Sequence, residues 1–127
     1  MSRIRWGIWT DTRDEAKSRR VIAEVLSRLG ESAADVEIIA YPKTGGHRAY
    51  VSTPSQGETW ADRVLDAVQC GLRVGRGWLL TGDGEHDLSG WSNEAAVPGV
   101  VSISWDIERG RPESPRPLAP EAGSLRL

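Results

Sequence analysis

The alternation of apolar and polar residues at the start of the chain predicts a β-strand. Ile4, Trp6 and Ile8 are separated by Arg5 and Gly7, so one face of the strand is apolar and the other is polar or small. Near residue 100 the same period runs for eight residues. There the apolar set is Val101, Ile103, Trp105 and Ile107, and the polar set is Ser102, Ser104, Asp106 and Glu108. Alternation of this length predicts a strand with one buried and one solvated face.

Two segments have the period of an amphipathic helix. In the first, Thr12 and Glu15 fit a capping box and Gly30 fits the position that closes a helix. Its apolar stripe is Ile22, Val25, Leu26 and Leu29. The second helix follows a possible capping box at Ser55 and Glu58, and we expect it to fray near Gly71. Its predicted stripe is Trp60, Ala61, Val64, Leu65, Val68 and Leu72.

Shorter apolar runs predict the remaining strands. Residues 36–41 and 47–51 read as a hairpin whose turn is Pro42-Lys43-Thr44-Gly45-Gly46. Residues 78–81 read as a fourth strand, and residues 88–91 as a brief edge strand. The order β-α-β-β-α-β-(β)-β predicts an α+β two-layer sandwich, with two helices on one face of an antiparallel sheet. Its first six elements match a ferredoxin-like arrangement, and the last strand is an addition.

The chain is long enough for one domain, which we place at residues 1–109. Residues 110–127 contain Pro112, Pro115, Pro117 and Pro120 without apolar periodicity, so we expect a disordered tail. Cys70 is the single cysteine, which excludes an internal disulfide and suits a reducing compartment. The N-terminal residues lead directly into the first strand pattern without an apolar leader. We therefore expect a cytoplasmic protein with no membrane contact.

The net charge of −2 conceals an uneven distribution. Residues 77–108 carry six acidic side chains and no Lys or Arg, a charge of −6. Such a segment repels nucleic-acid phosphates and favours a basic protein partner. Because Trp91 lies in the same segment, we predict a binding surface made by these residues: Asp83, Glu85, Asp87, Trp91, Glu94, Asp106 and Glu108.

No catalytic motif is present. The loop at residues 83–87 brings three carboxylates and His86 together, and with His47 it could serve a metal-dependent enzyme, but its spacing fits no EF-hand. Lys43-Thr44-Gly45-Gly46 lacks the order of a phosphate-binding P-loop. We therefore predict no cofactor, no metal and no catalytic residue.

About a quarter of the chain, within residues 77–107, resembles the closing portion of some bacterial immunity proteins. The resemblance is carried by Gly77-Trp78-Leu79-Leu80, by Gly90-Trp91-Ser92-Asn93, by Val97-Pro98-Gly99-Val100 and by Ile103-Ser104-Trp105-Asp106-Ile107. Immunity proteins neutralise the toxin domains of contact-dependent inhibition and related polymorphic toxin systems. The resemblance implies a non-enzymatic cytoplasmic inhibitor that blocks the active site of a cognate toxin, often a basic nuclease.

Two other functions remain open from the sequence. One is a ferredoxin-like small-molecule-binding or dimerisation domain, and the other is the small metal-dependent enzyme that would use the 83–87 loop. For the inhibitor we expect a monomer or a weak dimer when the partner is absent.

Overall fold

The computed structural model describes residues 3–31 and 36–109, and the backbone of Ser124–Arg126. The helices are α1, Glu15–Arg28, and α2, Trp60–Val74. The first five strands are β1, Arg3–Thr10; β2, Ile38–Tyr41; β3, Gly46–Pro54; β4, Gly75–Arg76; and β5, Leu79–Thr81. The remaining four are β6, Asp87–Ser92; β7, Glu94–Ala95; β8, Val100–Glu108; and β9, Ser124–Arg126.

Seven strands form one antiparallel sheet in the order β2-β3-β1-β8-β6-β5-β9, and β4 pairs with β7 in a separate ribbon. Both helices contribute buried residues to one core with the same face of this sheet. The predicted class, an α+β sandwich with an antiparallel sheet and two helices on one face, is confirmed.

The strand order differs from the ferredoxin-like one after the second helix. In the predicted order the fourth strand, residues 78–81, would lie beside β1, but that position is held by β8. The strand that directly follows α2 is β4 of the ribbon, and the predicted fourth strand is β5, which lies two strands beyond β8, on the far side of β6. As a result β6, which contains the predicted edge strand 88–91, is an inner strand that pairs with both β5 and β8.

The core is built around three tryptophans. Trp6, Trp78 and Trp105 are each at most 2% exposed, and the rings of Trp78 and Trp105 are 6.4 Å apart. The period-two alternation of β1 and β8 is confirmed, since Ile4, Trp6 and Ile8 are buried with Ile103, Trp105 and Ile107. The alternate positions of both strands are occupied by polar or small residues, except that Trp9 takes one of them in β1.

Helix α1 begins two residues later than the predicted capping box places it. The N-cap is Asp14, whose carboxylate accepts hydrogen bonds from the N–H groups of Ala16 and Lys17. Thr12 accepts from the N–H of Asp14 instead. The predicted closure at Gly30 is confirmed by a φ of 81°, a conformation that favours glycine.

Helix α2 differs more from its prediction. Thr59 is the N-cap, and the helix passes Gly71 without fraying and ends at Val74. Its fully buried residues are Ala67, Gly71 and Val74, whereas Leu65 and Leu72 are 55% and 60% exposed. The buried face of α2 is therefore rotated away from the predicted stripe and towards smaller residues. Gly71 packs against the bulky indoles of Trp78 and Trp105, which leave little room for larger side chains.

Part of the predicted disordered tail, Ser124–Arg126, forms strand β9 against β5. The rest of that prediction, residues 110–123 and residue 127, lies outside the described residues. Within the described part of the chain, no helix is long and apolar enough to cross a bilayer.

Candidate functional site

The sheet face opposite the helices is formed by the alternate residues of its strands, and we call it the open face. No described element packs on it. Its exposed aromatic side chains are Tyr50, 59% exposed, and Trp91, 44% exposed. By strand register the open face includes Arg5, Gly7, Trp9, Ile39, Tyr41, Arg48, Tyr50, Ser52, Asp87, Ser89, Trp91, Ser102, Ser104, Asp106 and Glu108.

A groove of about 440 Å³ runs across the middle of the open face. The side chains of Arg5, Tyr50, Ser52, Ser104 and Asp106 are among those that line it. Trp91 is not part of this lining, but it lies beside Ser104 on β6, while Tyr50 lies beside Gly7 on β3. A depression of this kind can receive a protruding group of another molecule.

Gly7 also provides the space for the indole of Trp9. A Cβ at Gly7 would lie 2.7 Å from the Trp9 ring, so the ring lies directly over the glycine. Trp9 meets Tyr41 and Tyr50 edge-on, with ring centroids 6.5 and 6.0 Å away. These three rings form an aromatic cluster on the β1–β3 half of the open face.

Three predicted binding carboxylates lie on the β6–β8 half. Asp106 and Glu108 point to the open face from β8, and Asp87 is directly opposite Glu108 on β6. Arg5 reaches them from β1: its Nε is 2.5 Å from Asp106, and its guanidinium is 3.9 Å from Glu108. The hydrogen bond to Asp106 raises the pKa of Arg5 above its usual value. These carboxylates are thus gathered, and Arg5 offsets part of their charge.

Asp83 and Glu85 lie in the loop next to this half. The Asp83 carboxylate accepts the N–H groups of Glu85 and His86 at 2.9 and 2.7 Å. Those bonds, led by the one from His86, hold the pKa of Asp83 well below its usual range. Asp83 therefore stabilises the conformation of the loop, in addition to any contact that it makes with a partner.

Cations also surround this loop. Arg109, one residue beyond the acidic segment, donates to the backbone carbonyl of Glu85 at 3.0 Å. The indole of Trp60 donates to Gly84 at 2.9 Å, and the guanidinium carbons of Arg63 and Arg109 lie 5.1 and 6.0 Å from the Trp60 ring. The negative electrostatic potential around the loop is therefore weaker than the formal charge of −6 over residues 77–108 suggests.

Glu94 is separate from the others. It lies on β7 in the small ribbon, where its carboxylate is 3.6 Å from Arg76. The structure therefore brings together Asp87, Trp91, Asp106 and Glu108, with Asp83 and Glu85 nearby, and leaves Glu94 at the other end of β6.

Sequence reasoning missed the aromatic half of the open face. The alternation of β1 assigns Trp9 to the same face as Arg5, which was a usable signal. Tyr50 and Arg48 could be assigned to that face only from the β1–β3 register, which the sequence does not contain.

The described residues offer little for catalysis. No group of three or more His, Cys, Asp or Glu among them could hold a metal ion. His86 pairs with Asp83, while buried His47 contacts Ser18 and Thr12. Burial, and then the charge of Asp66, raises the pKa of the Cys70 thiol, which opposes formation of a thiolate nucleophile.

No known family model, curated protein sequence or solved structure matches this chain. The open face, with its aromatic and charged side chains, is the feature from which a function can be argued.

Proposed function

We propose that this chain is a cytoplasmic immunity protein that binds a bacterial toxin domain through the open face and blocks its active site. The observation that carries the proposal is the exposure of Trp91 and Tyr50, which the strand register places on either side of Gly7 and Ser104, on the same face as three carboxylates. The other candidate functions lack a comparable feature among the described residues.

Affinity would come from the aromatic side chains. Tryptophan, tyrosine and arginine are enriched among the residues that dominate binding energy at protein interfaces. Trp91 and Tyr50 can each bury a large further area in a complex, since they are 44% and 59% exposed in the free chain. Ile39, 43% exposed at the β2 edge, extends the same apolar area.

Orientation would come from the carboxylates. Asp106 and Glu108 lie within ion-pair distance of the guanidinium of Arg5, and Asp87 lies opposite Glu108 on β6, so carboxylates are concentrated on this half of the open face. A nuclease active site is basic because it holds phosphates, so it is attracted to such a surface. The same carboxylates repel nucleic acid itself.

The test uses the C-terminal domain of the secreted protein whose gene adjoins the gene of this chain. Calorimetry should give a complex with the wild-type chain, and Trp91→Ser should weaken it by about 10- to 100-fold. The combined reversal of Asp83, Asp87 and Asp106 to lysine should weaken binding and flatten its dependence on salt. Circular dichroism would establish that each variant is folded.

The matched control is Leu72→Ser, which removes an equally exposed apolar side chain from α2, in the other layer. The proposal predicts unchanged affinity for this control. It is contradicted if Leu72→Ser weakens binding and Trp91→Ser does not, or if no secreted protein is encoded beside the chain.

A further inference from the structure

Arg48 occupies an unusual place in the aromatic half of the open face. On β3 it is opposite Trp9 of β1 and opposite Ile39 of β2. Its guanidinium carbon is 4.7 Å from the centre of the Tyr50 ring and 5.6 Å from that of Tyr41. Two aromatic rings therefore fix the position of a permanently charged group.

Within residues 3–31 and 36–109, no acidic side chain forms an ion pair with Arg48. The Nε of Arg48 is buried and has no hydrogen-bond partner. Burial has removed part of the hydration of Arg48, and the cation–π contacts with the tyrosines offset that loss. Among the described residues, no carboxylate binds the N–H donors of its guanidinium group.

A guanidinium in this state is suited to bind a carboxylate. Its planar fork matches the two oxygens of a carboxylate in a bidentate hydrogen-bonded pair. Stacking against the tyrosines restrains the plane of the fork, so less side-chain freedom is lost when the pair forms. A lysine at this position would keep the charge and lose both the fork and the stacking.

We propose that Arg48 is the receptor for a carboxylate of the protein that docks on the open face. The proposal rests on the function proposed above and adds a second charged contact of opposite sign. The open face then binds a bipolar partner, with a basic group at Asp106 and Glu108 and an acidic group at Arg48.

The register sets the spacing that such a partner must have. Arg48 pairs with Trp9 and Asp106 pairs with Arg5, so the two sites are two strands apart and four residues apart along β1. With strands about 4.8 Å apart and a rise of about 3.4 Å per residue, their Cα atoms are separated by roughly 17 Å. Opposite charges at this distance fix the direction in which the partner lies across the groove.

A phosphate of a nucleic acid could also bind a guanidinium. The three carboxylates on the same face would repel the rest of a phosphate backbone, which favours a protein carboxylate.

The experiment measures the affinity of the adjoining gene's toxin domain for Arg48→Lys and Arg48→Gln by calorimetry. Loss of a charge-assisted bidentate pair should weaken binding by about 10- to 100-fold in both variants. Arg20→Gln, which removes an exposed arginine of α1, is the control and should bind as the wild type does. In addition, Arg48→Glu should be rescued by an acidic-to-arginine substitution on the toxin.

The outcomes separate this inference from the proposed function. If the wild type binds the toxin domain and Trp91→Ser weakens binding while Arg48→Lys does not, the receptor role of Arg48 is overturned and the docking surface stands. Failure of the wild-type chain to bind the toxin overturns both. If the wild type binds a single-stranded oligonucleotide of twelve residues and Arg48→Gln abolishes that binding, the ligand is a phosphate and the carboxylate assignment is wrong.

Discussion

Arg5 and Asp106 face each other across β1 and β8, with the Nε of Arg5 2.5 Å from a carboxylate oxygen of Asp106. They are 101 residues apart in the sequence. Both side chains are well exposed, at 57% and 41%, so solvent screens the pair. The pair therefore orders the acidic half of the open face more than it stabilises the fold.

This relationship predicts a small coupling energy. A double-mutant cycle with Arg5→Gln and Asp106→Asn should give about 0.2–1 kcal/mol in the free energy of unfolding, and the value should fall as salt is added. Urea denaturation of the four proteins measures it. The comparison pair is Arg28 and Glu24, which are similarly exposed on α1. A coupling energy of several kcal/mol would contradict the view that solvent screens Arg5 and Asp106.

A second prediction concerns the fit of Trp105 against glycine. A Cβ at Gly90 would lie 2.6 Å from the Trp105 ring, which is 1% exposed and enclosed by the core. Gly90→Ala should therefore lower the free energy of unfolding by about 1–3 kcal/mol, because overpacking shifts a side chain that has no free space. Thermal or urea denaturation measures the change.

Gly75→Ala is the control for Gly90→Ala. Gly75 has an extended backbone with φ of −177°, and the nearest atom to an added Cβ is at 3.4 Å, an ordinary contact. This substitution should leave stability within about 0.5 kcal/mol of the wild type. Equal effects of the two substitutions would mean that the Trp105 contact is not the cause.

The third prediction concerns a buried polar cluster that joins β1, α1 and β3. The Nδ1 of His47 is 2.8 Å from the hydroxyl of Ser18 and 3.1 Å from the carbonyl oxygen of Thr12, and the hydroxyls of Ser18 and Thr10 are 2.8 Å apart. Because the Thr12 carbonyl can only accept, its contact with His47 is a hydrogen bond only if Nδ1 carries the proton, and this is the tautomer that we predict. Nitrogen NMR of the imidazole at neutral pH should show a protonated Nδ1.

Removal of this histidine should be costly. His47→Ala should lower the free energy of unfolding by about 2–3 kcal/mol, since it removes a buried imidazole together with its contacts to Ser18 and Thr12. His86→Ala is the matched control, because the His86 side chain is 57% exposed and its loss should change stability by less than about 0.5 kcal/mol. If the two alanine variants are equally stable, the buried cluster does not contribute as described.

A fourth prediction follows from the lowered pKa of Asp83. Its carboxyl group accepts the backbone N–H bonds more strongly when ionised, so the native state binds the proton more weakly than the unfolded chain does. The stabilisation is therefore complete above the ordinary aspartate pKa of about 3.9, and it is lost only as pH falls through the lower native value. Carboxyl carbon NMR should show Asp83 still ionised at pH 3.

The matching variant is Asp83→Asn. Because the asparagine side chain does not ionise, this variant should lack the contribution of Asp83 to the loss of stability at low pH. Half-protonation of Asp83 near pH 4 would show that the backbone bonds of the loop do not hold its charge.

The sequence predicted those features that depend on neighbouring residues. The alternation of β8 correctly placed Trp105 inside and Asp106 outside, because the two-residue period acts along one strand. The burial of α2 was mispredicted because Gly71 and Ala67 have little hydrophobicity of their own. They are buried because Trp78 and Trp105 fill the space beneath them.

The candidate site was predictable in part for the same reason. Asp106 and Glu108 could be assigned to a solvated face from β8 alone. Their neutralisation by Arg5 depends on which strands pair, and the separate position of Glu94 depends on the ribbon of β4 and β7. Both are long-range relationships, and a local pattern carries no information about them.

The most direct test of the account is hydroxyl-radical footprinting of the chain alone and in complex with the toxin domain. Oxidation reports the solvent exposure of individual side chains, and both layers of the fold offer exposed reporters. If the open face is the docking surface, Trp91 and Tyr50 become protected in the complex while Leu65 and Leu72 of α2 remain reactive. Protection of Leu65 and Leu72, with Trp91 and Tyr50 still reactive, would contradict it.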